Sequence, residues 1–256
     1  MSRAERARND RRFVTGPRAS SSTDDGLDLL LHGELRAVGL LPRASNYTFL
    51  GELCADDRTA LAVYKPQAGE APLWDFPEGS LCRREVAAYR LSAALGWPAI
   101  PPTVLRDGPH GPGAVQLFVE TEPSEHFFTM RDEDLDRFRP VAAFDIVANN
   151  ADRKAGHCLQ GRDGTVWCVD HGVCFAVEPK LRTVIWDFAG DPVPPPLLAD
   201  LRRVSRELRS GPLRDDLSSL LSVREVEATT RRADRLVRAG AYPWPTGGRP
   251  YPWPPV

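Results

Sequence analysis

Asp152 opens the run Asp152-Arg153-Lys154-Ala155-Gly156-His157, and Asp170 follows thirteen residues after it, heading Asp170-His171-Gly172. A carboxylate on a loop can orient or deprotonate a hydroxyl, and a second one at a strand end can hold a divalent metal against phosphate oxygens. Lys154 is one of only three lysines in a chain whose Lys and Arg total 33. Where arginine is the default cation, a retained lysine is a candidate for a task that needs a compact ammonium rather than a planar fork. Lys65 is another, closing the apolar stretch Ala62-Val63-Tyr64-Lys65, from which an ammonium could reach phosphates.

About twenty residues beyond Lys65, Glu85 stands near the start of a helical pattern, where it could pair with that lysine or simply suit the positive end of the helix. Ser45-Asn46-Tyr47-Thr48-Phe49 offers backbone N–H groups and small hydroxyls that could cover phosphates, although it lacks repeated glycines and reads equally well as a turn. Taken singly, Asp152-Arg153 could be a surface ion pair and Asp170-His171-Gly172 an ordinary strand-end turn. Their joint occurrence, in order, with Lys65 and Glu85 favours a phosphate-handling site.

Such residues need a scaffold. Leu27 to Leu41 predicts a short helix and turn, and Asn46 to Leu53 with Ala60 to Lys65 predicts a hairpin around Asp56-Asp57-Arg58. Cys82, Val86, Tyr89 and Ala93 recur at helical spacing until Gly96. Val104-Leu105 and Ala114 to Val119 predict a further strand pair. Helical pattern runs from Asp132 to Asn149, with Pro140 starting a second helix. Thr165 to Val169 predicts a strand, and Leu197 to Leu208 and Val223 to Ala239 predict helices. The expected fold is α+β and two-lobed: an antiparallel sheet plus one helix, then a mostly helical half. The expected division is a disordered basic tail over 1–25, an N-lobe over 26–121, a C-lobe over 122–240 and a Pro/Trp-rich tail over 241–256.

Composition narrows the class. With 256 residues, 42% of them hydrophobic, the chain can bury one sizeable core or two small lobes. No apolar run approaches the roughly 18–20 residues of a membrane helix, so no membrane span and a cytoplasmic location are expected. Five cysteines without a Cys-x-x-Cys pair suggest reduced thiols rather than a disulfide framework or zinc ribbon. A net charge of −2 gives no general attraction to nucleic acid, although six arginines make the first eighteen residues locally basic. Tyr242-Pro243-Trp244-Pro245 recurs as Tyr251-Pro252-Trp253-Pro254, a proline density that predicts extended polyproline II segments. These would either lie on the protein's own surface, stay disordered, or dock on a protein partner.

The loop resembles the Asp-x-Lys-x-x-Asn and Asp-Phe-Gly motifs of protein kinases, and more closely the Asp-Arg-His-x-x-Asn loop of the phosphatidylinositol 3-/4-kinase-like and HipA-like kinases. Arg84-Glu85-Val86-Ala87-Ala88-Tyr89 resembles that superfamily's helix-glutamate segment, and Gln116-Leu117-Phe118-Val119-Glu120 its adenine-contacting hinge. The similarity runs from about Ser45 to Phe175 and is shared with an actinobacterial branch of the superfamily. It implies a protein-kinase-like fold, ATP with Mg2+ or Mn2+, and phosphoryl transfer to an acceptor that need not be lipid; a protein or a small molecule is the expected class. It further implies Asp152 and Lys154 as catalytic, Asp170 as the metal carboxylate, and Ser45, Asn46, Thr48, Lys65, Glu85, Gln116, Phe118 and Val119 around the nucleotide. Lys154 replaces the superfamily histidine but keeps a cation there. His157 replaces the metal-binding asparagine, and either ligates a softer metal such as manganese or contacts phosphate.

Rival readings differ in class. A zinc site from His157, Cys158, Cys168, His171 and Cys174 suffers from poor spacing. A serine hydrolase lacks a Gly-x-Ser-x-Gly elbow. A nucleotide-binding pseudokinase or interaction module would not need both aspartates. Adenylyl transfer on the same fold stays open, because sequence does not fix nucleotide polarity.

Overall fold

The computed structural model describes residues 23–42, 46–246 and 248–256, and within them the chain adopts the expected two-lobed α+β architecture. The expectations placed on residues 1–22 and on Ser45 lie outside these residues. Helix α1, Thr23–His32, leads directly into strand β1, Glu34–Leu40. The sequence predicts a helix and turn across this stretch; the helix begins earlier, at Thr23, and its second half is instead an edge strand. In β1 only Leu35 is buried, so no alternation of apolar and polar residues betrays it.

The hairpin is β2, Phe49–Ala55, and β3, Arg58–Pro66, turning at Asp56, whose φ of 52° is left-handed. With β4, Thr103–Gly108, and β5, Gly111–Leu117, they form one antiparallel sheet in the order β1-β2-β3-β5-β4. Pairing of Lys65 with Ala114 and of Tyr64 with Val115 fixes the register of β3. Leu30, Leu35, Leu53, Ala62, Tyr64, Val104 and Val115 fill the core between α1 and the sheet.

Helix α2, Leu81–Leu95, ends at Gly96, whose φ of 85° gives the left-handed cap that glycine adopts without strain. Its first two amides both donate to the carboxylate of Glu70, at 3.0 and 2.8 Å, so a residue eleven positions upstream caps it. Cys82 and Val86 pack on Ala114 of the sheet. Ala87, Ala88, Leu91 and Leu95 join the larger core of the second lobe. One helix is thereby shared by both lobes.

The second lobe opens with β6, Thr121–His126, and α3, Phe127–Met130, neither of which the sequence pattern signalled. A 3-10 turn over Leu135–Phe138 precedes α4, Arg139–Ala148, and Pro140 stands in the first turn of α4 as expected. Strands β7, Cys158–Gly161, and β8, Val166–Cys168, pair with β6 in a small sheet of order β6-β7-β8. Helices α5, Pro195–Ser210, α6, Pro212–Ser218, and α7, Val223–Ala239, complete the lobe. Ser222 and Glu225 cap α7 reciprocally in a capping box.

Candidate active site

A cleft of about 500 Å3 lies between the two sheets, within the size range of small-molecule sites. Its walls include Asn46, Thr48, Lys65, Glu85, Gln116, Phe118, Val119, Asp152, Lys154, His157 and Asp170. Every site residue named from the sequence, apart from Ser45, therefore borders one cavity. Tyr47, Val63, Pro101, Leu159 and Val169 also line it. Sequence reasoning did not single out Val63, Pro101, Leu159 and Val169 as walls, because nothing in their types distinguishes an apolar residue facing a cleft from one facing a core.

Lys65 ends β3 and reaches two carboxylates. Its ammonium ion-pairs with Glu85 of α2 and lies 3.0 Å from Oδ1 of Asp170. Burial opposes its charge, but Asp170 and Glu85 outweigh burial and raise its pKa. Lys65 in turn holds the carboxyl of Asp170, about half of whose side chain is exposed, far below the usual carboxylate range. The second oxygen of Glu85 accepts the His171 amide at 2.9 Å, so one glutamate ties α2 both to the lysine strand and to the segment carrying Asp170. Asp170 adopts a left-handed φ of 62°, a conformation that costs a non-glycine residue energy and that often marks functional turns.

Arg153 is not the surface residue that a simple ion pair with Asp152 would make it. It is fully buried, and its Nε and Nη2 donate to Asp145 of α4 at 3.0–3.1 Å. Its Nη1 donates to the carbonyls of His157 and Val169, and its Nη2 contacts Nε2 of His171 at 2.7 Å. A guanidinium has no acceptor, so His171 accepts through Nε2 and is neutral, as its burial requires. Asp145 also accepts from Asn150 and Thr183. One buried arginine thus fixes the loop, the end of the β7–β8 unit and the Asp170 segment together. Asn149, left-handed at the end of α4, donates to Ala176 and Glu178 and accepts from Lys180. The two asparagines before Asp152 are scaffold.

The loop's reactive side chains face the cleft. Lys154 Nζ is 3.5 Å from Asp152, and burial with the nearby charge of Asp170 raises the Asp152 pKa while Lys154 opposes the rise. His157 accepts the Lys154 amide at Nδ1, 3.4 Å away, and places Nε2 at 3.4 Å from Oδ2 of Asp170. Burial pushes His157 down to about 4, so at neutral pH the ring is uncharged and its one proton belongs on Nε2, facing Asp170.

Two of the nucleotide candidates are already engaged. Asn46 Oδ1 accepts the Ala71 amide at 2.8 Å, and Gln116 is buried with its amide donating to Thr103 at 2.8 Å. The Tyr47 amide donates to Gly69, so the turn after Ser45 spends one of its N–H groups on the neighbouring loop. Among the described residues no three His, Cys, Asp or Glu side chains gather as a metal cage. Of the cysteines considered for zinc, Cys158, Cys168 and Cys174 are wholly buried.

No family model matches the chain. Among solved structures, the Helicobacter pylori proinflammatory kinase CtkA aligns over 82% of this chain and 93% of its own, with a TM-score of 0.49 and 13% identity. Phosphatidylinositol 4-kinase gamma 4 of rice, Oryza sativa subsp. japonica, is 32% identical over 128 residues, which are 43% of this chain and 22% of that protein. Protein Rv2133c of Mycobacterium tuberculosis is 39% identical over 272 aligned positions, spanning 92% of this chain and 97% of the relative. By that full-length match, the chain belongs to the family of Rv2133c.

Proposed function

We propose that this protein is an ATP- and metal-dependent phosphotransferase of the phosphatidylinositol 3-/4-kinase-like superfamily. The observation that carries the reading is Lys65, whose ammonium joins Glu85 and Asp170 in a cleft that also holds Asp152 and Lys154. A strand lysine, a helix glutamate and a metal carboxylate are parts that kinases share. The rice kinase, similar over part of the chain, supports the same class.

The residues fit a hard divalent ion. Mg2+ is commonly held by one or two carboxylates together with substrate phosphates rather than by a protein cage, and this cleft offers Asp170, kept ionised, with Asp152 nearby. Bound there, the ion would supply charge neutralisation for the transferring phosphoryl group. Lys65 anchors the phosphates of ATP, and Val63, Leu159 and Val169 supply apolar surface for its base. Asp152 orients the acceptor hydroxyl and takes its proton, for which a raised pKa is an advantage. Lys154 places a cation beside the group in transfer. His157 steadies Asp170 through its Nε2 proton, instead of ligating metal as the superfamily asparagine does.

Purified protein incubated with Mg2+ or Mn2+ and ATP labelled at either the α or the γ phosphate provides the test. The expected outcome is metal-dependent release or transfer of the γ label, lost in Asp152→Ala and Asp170→Ala. Incorporation of the α label alone would make the protein an adenylyl transferase. Nucleotide binding without any turnover would leave a binding module.

A further inference from the structure

The two Tyr-Pro-Trp-Pro units share a sequence and have different fates. In the first, Tyr242 is buried, its hydroxyl donates to Arg139 at 2.8 Å, and Trp244 packs on Gly190, where a Cβ would meet the indole at 2.9 Å. That unit is part of the second lobe. The tryptophans of both units are largely exposed, Trp244 at 69% and Trp253 at 89%, and the units differ at their tyrosines: Tyr242 is buried, whereas Tyr251 is 54% exposed.

The last residues are tied to the second lobe through proline carbonyls. Pro250 accepts from the Thr183 amide at 3.1 Å and from the Trp186 indole at 3.0 Å, and Pro255 accepts from the Ala155 amide at 2.8 Å. Prolines donate nothing through their backbone, so Pro250 and Pro255 act here as acceptors, and each carbonyl meets an N–H of the second lobe. Two of these donors, Ala155 and Thr183, belong to or adjoin the catalytic loop. Ala155 follows Lys154 directly, while Thr183 bridges Arg153 and the Val184 amide donates to Arg153. A cavity of about 470 Å3 lies beside the segment, lined in part by Val184, Trp186, Tyr251 and Pro255, and Pro252 is buried there.

We propose that residues 250–255 are a positioning segment of the active site, holding Asp152 and Lys154 in working geometry through the Ala155 amide. The inference rests on the phosphotransfer reading. Without the segment, the Ala155 amide loses its partner and the loop between Arg153 and His157 is anchored only at its ends.

The test compares the full chain with one ending at Gly248, which keeps the first Tyr-Pro-Trp-Pro unit. Truncation is expected to lower kcat for metal-dependent ATP turnover at least tenfold while affinity for a fluorescent ATP analogue stays within twofold. Adding the synthetic peptide spanning residues 249–256 is expected to restore most of the rate. Amide exchange in the 153–157 loop should quicken on truncation and slow again with the peptide. A truncated chain that keeps its full rate, or whose loop exchange is unchanged, overturns the proposal while leaving the phosphotransferase reading intact. Equal losses of nucleotide affinity and rate also overturn it, because they report general damage. A full chain with no turnover sinks the phosphotransferase reading, and the catalytic role of the segment with it.

Discussion

Lys65 and Asp170, separated by 105 residues in the chain, bring Nζ and Oδ1 within 3.0 Å of each other in the wall of the cleft. The pair links the last strand of the hairpin to the segment after β8, and Glu85 completes it from α2. Lys65→Met should abolish ATP turnover and weaken nucleotide binding at least tenfold. It should also cost on the order of 3 kcal/mol in urea unfolding, because Glu85, 3% exposed, is left without its counter-charge. The double variant Lys65→Met/Glu85→Gln should recover much of that stability and none of the activity. Stability equal to wild type in the single variant would show that the pair is not needed to offset the burial of Glu85.

Arg153 should tolerate no replacement. Arg153→Ala leaves Asp145 as a buried carboxylate facing only neutral donors, at a cost of about 3–5 kcal/mol. Arg153→Lys keeps the charge but cannot reach Asp145, His157, Val169 and His171 at once, so it should rescue little. Thermal unfolding of the three proteins checks this, and a lysine variant as stable as wild type would contradict it.

Glu70 should matter more than its place in a loop suggests. Glu70→Ala frees two amides at the start of α2 and is expected to cost about 1–2 kcal/mol. Because the frayed turn leads to Glu85, turnover should fall further than nucleotide affinity. Measured kcat and KM for ATP would separate the two effects.

Thiol chemistry should distinguish the five cysteines. Cys82, Cys158, Cys168 and Cys174 are buried, and burial pushes the Cys82 thiol up to about 12; Cys54 is partly exposed. An aromatic disulfide reagent at pH 8 should titrate one thiol rapidly in the native protein and five in denaturant. Two or more rapid thiols would show that the packing around at least one buried cysteine opens readily.

Local periodicity made several elements legible. The pattern over Val223 to Ala239 matches α7 at both ends, and Gly96 stops α2 where expected. The chemistry-bearing side chains were legible because their types and order are unusual in combination. Arg153 was not, since its partners Asp145 and His171 lie on other elements and only the folded chain brings them together. The docking of Pro255 on Ala155 left no sequence trace either, because it uses a carbonyl that any residue would supply.

Arg84, beside Glu85 on α2, donates to the carbonyl of Cys174 at 2.6 Å and ion-pairs with Glu225 at the start of α7. Neighbouring residues thus anchor α2 in opposite directions, one into the cleft and one into the interior of the second lobe. For α2 to turn and carry Glu85 away from Lys65, the buried Arg84 would have to abandon both partners. A penalty of about 3 kcal/mol would hold that displaced arrangement to less than roughly one molecule in a hundred. On the phosphotransferase reading, a protein built this way rests in its assembled state, and control would fall to whatever governs access of the acceptor.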